Sequence, residues 1–282
     1  MSVHDQSTEG VLRAPERGLS MHSLFRDLAA SLRNPEFWAL SSWLDIVVRN
    51  RQSRLGIFWL MSPAIVYIWG MGSFFASMMH MPLSGFAAYV AVGYLVFRVV
   101  NSAMVESTGT LAASAPFILD GHVRLTDFVL KVIATSSFHF LISLPVAVLA
   151  LAIYPDLHWL GLLFSLVSLP IVILNALWVG VVFALIGARF PDLRHLVSNI
   201  FMFAFLLTPI IWHADNMPPG SLRGTLMRFN PFYHLVELVR APILGQSIDA
   251  STPMYLAVMT IGGWIIAVVA YRRYARYVPL WV

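Results

Sequence analysis

The sequence predicts an all-α integral membrane protein with six transmembrane helices and with both termini in the cytoplasm. Three observations lead to this prediction: the composition, the number of long apolar segments, and the placement of the arginines. The 282 residues are 59% hydrophobic and 11% charged, whereas soluble domains contain about 25% charged residues. The mean hydropathy is +0.75. Because a core of this size cannot bury so much apolar surface, lipid must be the solvent for most of the chain.

Six apolar segments are long enough to span a membrane. A helix needs roughly 20 apolar residues to cross about 30 Å of hydrocarbon. The segments that meet this length are Ile57–Met79, Phe86–Ala113, Val129–Tyr154, Trp159–Ala188, Leu193–Trp212 and Pro253–Tyr271. Prolines inside three of them are tolerated because neighbouring helices can satisfy the freed backbone groups. We therefore predict that residues 55–282 form one membrane domain with no soluble domain attached.

Basic residues accompany every second loop. They stand before the first, third and fifth segments and after the sixth: Arg49, Arg51 and Arg54; Arg124 and Lys131; Arg189 and Arg194; Arg272, Arg273 and Arg276. The short loops after the first and third segments contain neither Lys nor Arg. Since basic loops stay in the cytoplasm, this pattern predicts a multi-pass protein of the inner membrane. Residues 213–251 are an exception, because they should lie outside and contain three arginines.

The segments before the first span differ in character. Residues 1–33 are polar and contain no apolar signal-peptide core, so we expect a mobile cytoplasmic tail. Residues 34–54 are amphipathic and predict a helix on the inner surface of the membrane, with a plain membrane anchor as the alternative. On its apolar face are Phe37, Leu40, Leu44, Val47 and Val48, and on its polar face are Ser41, Asp45, Arg49 and Gln52.

The last outer loop contains a segment that resembles a helix too short to span. In NPFYHLVELVRAPILG, Asn230 is typical of a helix start and Gly245 of a helix stop. We expect short re-entrant helices in the outer leaflet, where Glu237 and Arg240 can pair on one face. His234 and Glu237 form only an HxxE pattern, which lacks the second histidine of a zinc protease. No metal site is therefore expected.

Several kinds of chemistry have no residues to support them. The chain has no cysteine, which excludes disulfides and thiolate metal sites. It contains no GxxxxGK[ST], GxSxG or HExxH pattern, so we expect no ATP site, no cofactor and no catalytic residue in this chain. The net charge of +4 lies mostly at segment ends, which suits anionic membrane lipid and not nucleic acid. The residues indicate a transport protein whose energy comes from elsewhere.

Several motifs, in their order, resemble those of one transporter family. They are RNRQSRLGIFWLMSPA at 49–64, ARFPDLRHLV at 188–197, TPIIW at 208–212, FNPFYHLVELVRAPILG at 229–245 and RRYARYVPLWV at the end. Together they resemble the permease subunits of ABC-2 type exporters of cell-envelope polysaccharides, including O-antigen and capsule exporters. The resemblance runs from about residue 37 to residue 282. It is weakest in the second span, where VFRVVNS replaces an aromatic- and Asn-rich stretch.

The resemblance implies an assembly and a substrate. Two copies of the chain would pair with two copies of a separate ABC ATP-binding subunit, which binds ATP and Mg. The dimer would enclose a channel for a lipid-linked polysaccharide. Segments Asn34–Arg54 and Pro116–Asp127 would contact the ATPase, through Arg49, Arg51, Arg54, Asp120, His122 and Arg124. Two alternatives stay open: an ABC-2 drug or lipid exporter permease, and a membrane-embedded envelope enzyme.

The second span carries an unusual polar row. Arg98, Ser102 and Glu106 are spaced four apart, with Asn101 beside them, so they share one side of a helix. A lone charge facing lipid costs about 2.5–3.5 kcal/mol, so this side should face the protein interior. The row is either a structural link between helices or, with Trp59 and Tyr67, the wall of the transport path. In the second case Arg98 would donate to sugar hydroxyls or carrier phosphates.

Overall fold

A computed structural model describes residues 23–121, 123–214, 217 and 220–282. Over these residues the regular structure is entirely helical. In chain order the helices are α1 (Leu24–Arg33), α2 (Ser41–Asn50), α3 (Gly56–Met78), α4 (Leu83–Ala113), α5 (Ala115–Asp120), α6 (Leu125–Ala152), α7 (Trp159–Arg189), α8 (Leu193–Leu207), α9 (Leu222–Phe229), α10 (Pro231–Ile243) and α11 (Thr252–Tyr274). A π-helical turn, Glu36–Leu40, precedes α2, and short helical turns continue α11 to Trp281.

In the described part of the chain, five helices are long and apolar enough to cross a membrane: α3, α4, α6, α7 and α11. The predicted fifth span, Leu193–Trp212, corresponds to α8, which has 15 residues. At 1.5 Å per residue α8 is roughly 22 Å long. It ends before Thr208, which is extended (ψ 132°), because Pro209 disfavours helical backbone in the residue before it. The count of six spans stays a prediction.

Helix α4 lies at the centre of the bundle, in contact with α3, α6, α7, α8 and α10. Every residue from Phe86 to Phe97 is buried. Those twelve residues are apolar or aromatic apart from Gly93, and a helix that is apolar all round is stable only when surrounded. The polar row that begins at Arg98 is therefore held at a fixed place between other helices.

Helices α4 and α7 approach closely at a glycine. A Cβ placed on Gly187 would lie 1.9 Å from the carbonyl oxygen of Thr108. About two turns earlier on α7, a Cβ on Gly180 would lie 3.1 Å from the Ser107 hydroxyl. Small residues allow helix backbones to pack this tightly in membrane proteins. Gly187 thus sets the distance between the central helix and the longest of its neighbours.

The prediction of a mobile tail is wrong for the last ten residues of that segment. Leu24 and Leu28 are buried on one face of α1, and the Tyr271 hydroxyl donates to Asp27 Oδ2 at 3.0 Å. Ser31 Oγ lies 2.7 Å from Thr126 Oγ1. The sequence sign of α1 was the four-residue spacing of Leu24 and Leu28, and the segment is too short for that spacing to be distinctive. Residues 1–22 of the predicted tail lie outside the described residues.

Docking of α1 on the C-terminal half of α11 brings the two ends of the described chain together. Phe25 stacks on Trp264 with ring centroids 5.6 Å apart. The N-terminal and C-terminal segments therefore lie at the same end of the bundle. Terminal segments at the same end agree with an even number of spans. The side of the membrane that they face stays a prediction.

The predicted interface helix is shorter than residues 34–54 and ends at Asn50. One of its faces exposes apolar side chains: Leu40, Trp43, Leu44 and Val48. The opposite, polar side contacts α6, where Asp45 Oδ2 lies 2.6 Å from Lys131 Nζ. Lys131 is the single lysine of the chain. The contact fixes α2 against the bundle, and its location at the membrane surface stays a prediction.

The close approach at Gly187 yields a matched pair of variants. We expect Gly187→Ala to lower the unfolding temperature of the detergent-purified protein, because the methyl group would force α4 and α7 apart at a cost of about 1–3 kcal/mol. Gly262→Ala on α11 is the control, since nothing lies within 4 Å of a Cβ at that position. Equal unfolding temperatures for the two variants would contradict this account of the packing.

Candidate functional site

The polar row of α4 lines a groove between α3, α4 and α8. The groove has a volume of about 430 Å³. Five of the six residues predicted for the transport path line it: Tyr67, Arg98, Asn101, Ser102 and Glu106. The sixth, Trp59, is absent from its lining and is 57% exposed in the first turns of α3. Apolar periodicity does not fix which face of α3 turns toward α4, so the sequence could not separate Trp59 from Tyr67.

Arg98 has a neutral partner on another helix. Its Nη1 donates to Ser143 Oγ of α6 at 3.3 Å. Within the described residues no ion pair joins Arg98 to a carboxylate. The Ser143 bond satisfies one of five guanidinium donors. The side chain is thus linked to α6 and also lines the groove.

Glu106 belongs to this groove and to a second cavity of about 460 Å³. The second cavity lies where α2, α6 and the first turn of α8 meet, and Arg49, Lys131 and Arg194 line it. Arg194 can lie across α4 because Gly109 has no side chain: a Cβ there would be 3.3 Å from Arg194 Nη1. The polar row of the groove therefore continues into a basic cavity at one end of the molecule.

Aromatic rings from α3, α4 and α8 also line the groove. Tyr67 stacks on Tyr94 with ring centroids 4.7 Å apart, and Phe205 meets Tyr67 edge-on at 5.3 Å. Phe97 and Phe201 also line the groove. The groove thus combines hydrogen-bonding groups with aromatic rings.

The residues predicted to contact an ATPase lie at the end that carries the basic cavity. Arg49, Arg51 and Arg54 are exposed at the end of α2, and Asp120 and Arg124 are exposed at the α5–α6 connection. His122 lies outside the described residues. The exposure of these side chains leaves them accessible to another subunit.

Asp120 and Arg124 lie on either side of a helix break, because Asp120 ends α5 and Arg124 precedes α6. Gly121 adopts a left-handed conformation (φ 76°) and ends α5. Helix α6 then begins after Arg124, whose backbone N–H donates to Asp127 Oδ2 at 3.0 Å. The sequence signal for this break was the glycine, which favours a left-handed helix end.

The segment after α8 contains a buried polar network that sequence reasoning only partly found. Helix α10 begins after Asn230, whose side chain caps it, and ends before Gly245 (φ 68°), as predicted. Its Glu237 is 7% exposed. The Glu237 carboxylate accepts from the Tyr233 hydroxyl and the Asp249 backbone N–H, both at 3.0 Å, and from the Thr252 hydroxyl. The bonds from Asp249 and Thr252 join α10 to the start of α11.

His234 connects the same network to α9. Its Nδ1 lies 2.6 Å from Thr252 Oγ1, and its Nε2 lies 2.8 Å from the Arg228 carbonyl oxygen. Burial lowers the pKa of the His234 imidazole, although the Arg228 carbonyl and the Glu237 and Asp249 carboxylates act in the opposite direction. Since a carbonyl only accepts, Nε2 is the donor. His234 therefore acts as a structural bridge between α9, α10 and α11.

Arg240 is the buried anchor between α10 and α4. It is 3% exposed, donates to the Pro209 carbonyl oxygen at 2.5 Å and lies 3.7 Å above the Tyr89 ring. Gly93 makes room for it, because a Cβ there would be 3.2 Å from Arg240 Nη1. Pairing of Arg240 with Glu237 stays a prediction, and these contacts also join Arg240 to α4 and to the end of α8. Sequence spacing along one helix could not indicate them.

Comparison with known proteins yields several relatives, although no family model matches the chain. An O-antigen export system permease protein RfbA from Klebsiella pneumoniae is 23% identical over 80% of this chain and 85% of its own length. A protein of the same name from Myxococcus xanthus is 27% identical over 77% and 84%. The polysialic acid transport protein KpsM of Escherichia coli is 22% identical over 81% and 89%. These similarities confirm the predicted resemblance to ABC-2 type polysaccharide export permeases.

Proposed function

We propose that this chain, which is similar to ABC-2 polysaccharide export permeases over most of its length, is the permease subunit of an ATP-driven exporter. Its substrate would be a lipid-linked cell-envelope polysaccharide of the O-antigen or capsule type, moved across the inner membrane. The observation that supports this function most directly is the groove on α4, because it places a polar row on the central helix of an apolar bundle.

The chemistry of the groove suits a polysaccharide. A guanidinium, an amide, a hydroxyl and a carboxylate lie in one row on α4, and a chain of hydroxyl groups can exchange hydrogen bonds with all four. The tyrosine and phenylalanine rings that line the same groove can stack on sugar faces. Together these surfaces would guide a long polar chain without holding any one unit tightly.

A second copy of the chain would close the groove. The groove is partly open at the surface of one copy, between α3 and α8. Polar groups of a membrane-spanning helix that face lipid carry a large cost. Pairing of two copies along this face would exclude lipid and convert two grooves into one channel.

The basic cavity at the other end of the row would receive the anionic part of the substrate. Arg49, Lys131 and Arg194 there outnumber the carboxylates of Asp45 and Glu106. Phosphate groups of a lipid carrier are attracted to such a site. The cavity would thus lie at the cytoplasmic entrance of the path.

Energy would come from a separate ATP-binding subunit, because this chain lacks a phosphate-binding loop. The exposed end of α2 and the α5–α6 connection would form the docking surface. Both lie beside the basic cavity, so movement of the partner could act directly on the entrance to the path.

The expected orientation has six spans, with α8 as the fifth, and both termini in the cytoplasm. The alternation of basic loops supports this orientation, and so does the contact of α1 with α11 at one end of the bundle. The helices α9 and α10 would then lie on the outer side.

Single cysteines test the orientation, because the chain has no cysteine of its own. We expect cysteines at Ser84 and His158 to react with a membrane-impermeant thiol reagent in intact cells. A cysteine at Arg194 should react only after the membrane is opened. Labelling of the Arg194 position in intact cells would overturn the six-span arrangement.

Arg98→Gln tests the transport path. Glutamine keeps a donor for Ser143 but removes the charge, so we expect the folded dimer to persist while export falls on the order of tenfold, the effect of losing one charged hydrogen bond. Export is measured as polymer on the cell surface at matched protein level. Arg223→Gln, at an exposed residue of α9, serves as the control. Normal export together with a lower unfolding temperature would make Arg98 a structural residue only.

Arg124→Glu tests coupling to the ATPase. The start of α6 uses the backbone N–H of Arg124, which glutamate also supplies, and the side chain is exposed, so the helix should remain intact. We expect the variant to insert normally and to lose polymer-stimulated ATP hydrolysis in the purified complex. The same charge change at Arg223, at the opposite end of the bundle, should have no effect. If polymer stimulated ATP hydrolysis equally in the Arg124 and Arg223 variants, the α5–α6 connection would not belong to the docking surface.

A further inference from the structure

A polar cavity of about 620 Å³ lies between α4, α9, α10 and the segment before α11. Four of the described residues in its walls are charged: Arg228, Glu237, Arg240 and Asp249. The volume falls within the roughly 300–1,000 Å³ that is typical of ligand pockets. The cavity is separate from the groove of Arg98, because no residue lines both.

Among the described residues that line this cavity, the charges are balanced. Two arginines face two carboxylates, and Arg228 Nε donates to Asp249 Oδ2 at 2.9 Å. Burial acts to raise the pKa of Asp249, but hydrogen bonds from Ser251 and Arg228 outweigh it and hold this pKa below its usual value. A cavity with paired charges has little attraction for a free ion. It does present fixed donors and acceptors, which suit a neutral ligand with many hydroxyl groups.

The walls of the cavity are held rigidly. Glu237 receives three hydrogen bonds, and the Arg240 guanidinium is fixed between the Pro209 carbonyl and the Tyr89 ring. Site groups that are already fixed before binding lose little conformational entropy when a ligand arrives. The rigid walls therefore favour a binding site over a chance void.

The mouth of the cavity is polar and exposed. Gln246 and Ser247 line it, and both are exposed in the segment that follows α10. An amide and a hydroxyl at the opening extend the same hydrogen-bonding chemistry to the surface. Neither Gln246 nor Ser247 requires an apolar or an anionic occupant.

We propose that this cavity is a saccharide subsite on the exit side, which holds a neutral, hydroxyl-rich segment of the exported polymer. The proposal rests on the proposed function and on the orientation given above. The basic cavity at one end of α4 and the charge-balanced cavity at its other end would then serve different parts of one substrate. The first suits the carrier phosphates, and the second suits the sugars.

Protection from thiol labelling tests the subsite. Ser247→Cys places the only cysteine of the chain at the mouth, and Ala250→Cys places one on exposed chain three residues away, outside the cavity lining. Each variant is assembled with an ATPase partner that binds but does not hydrolyse ATP. Reaction with an impermeant maleimide is then compared in cells that make the polymer and in cells whose polymer synthesis is blocked. We expect polymer to slow labelling at Ser247→Cys at least about threefold and to leave Ala250→Cys unchanged.

A bulky substitution gives an independent readout. Ser247→Trp should reduce export of the polymer severalfold by filling the mouth, whereas Ala250→Trp should export normally. Equal labelling rates with and without polymer, or equal export by the two tryptophan variants, would overturn the subsite. A separate experiment tests the proposed function itself. If the chain is not an exporter subunit, deleting it will leave the amount of surface polymer unchanged, whereas failure of the subsite alone leaves export dependent on the chain.

Discussion

The structure depends on one constraint: charged side chains in the middle of a membrane helix cannot face lipid. Arg98 and Glu106 lie on α4, and each would cost about 2.5–3.5 kcal/mol if it faced hydrocarbon. The fold meets this constraint in part by surrounding α4 with five other helices, and a second copy would exclude lipid from the groove that the polar row lines. The arrangement of the bundle is thus a consequence of keeping that row away from lipid.

Close packing around α4 depends on residues that lack bulk. Gly187 lets α7 approach the carbonyl of Thr108, Gly109 makes room for Arg194, and Gly93 makes room for Arg240. At each site a methyl group would meet a backbone or a guanidinium. The two arginines lie against the same helix near its opposite ends, and each lines a separate polar cavity. A single helix therefore organises an entrance, a path and an exit in the proposed transporter.

Much of the helical architecture could be predicted from the sequence, because apolar length and alternating arginines report directly on a lipid environment. The polar row was also predictable, since helical spacing places Arg98 and Glu106 on one side. Features that depend on tertiary contacts were not. The α1 helix is stabilised by Tyr271 and Thr126 from distant segments, and the Arg240 anchor requires knowing that Pro209 lies beside it. Neither contact leaves a periodic signal in the chain.

The central claim, that the exported polymer passes along the polar row of α4, can be tested by site-specific photo-crosslinking. A photoreactive amino acid replaces Asn101, which lines the groove, and in a second variant it replaces Leu141, which is 56% exposed on α6. The account predicts that illumination during export joins the polymer to the chain at residue 101 and not at residue 141. Continued export with no polymer adduct at residue 101, or equal adducts at both positions, would contradict it.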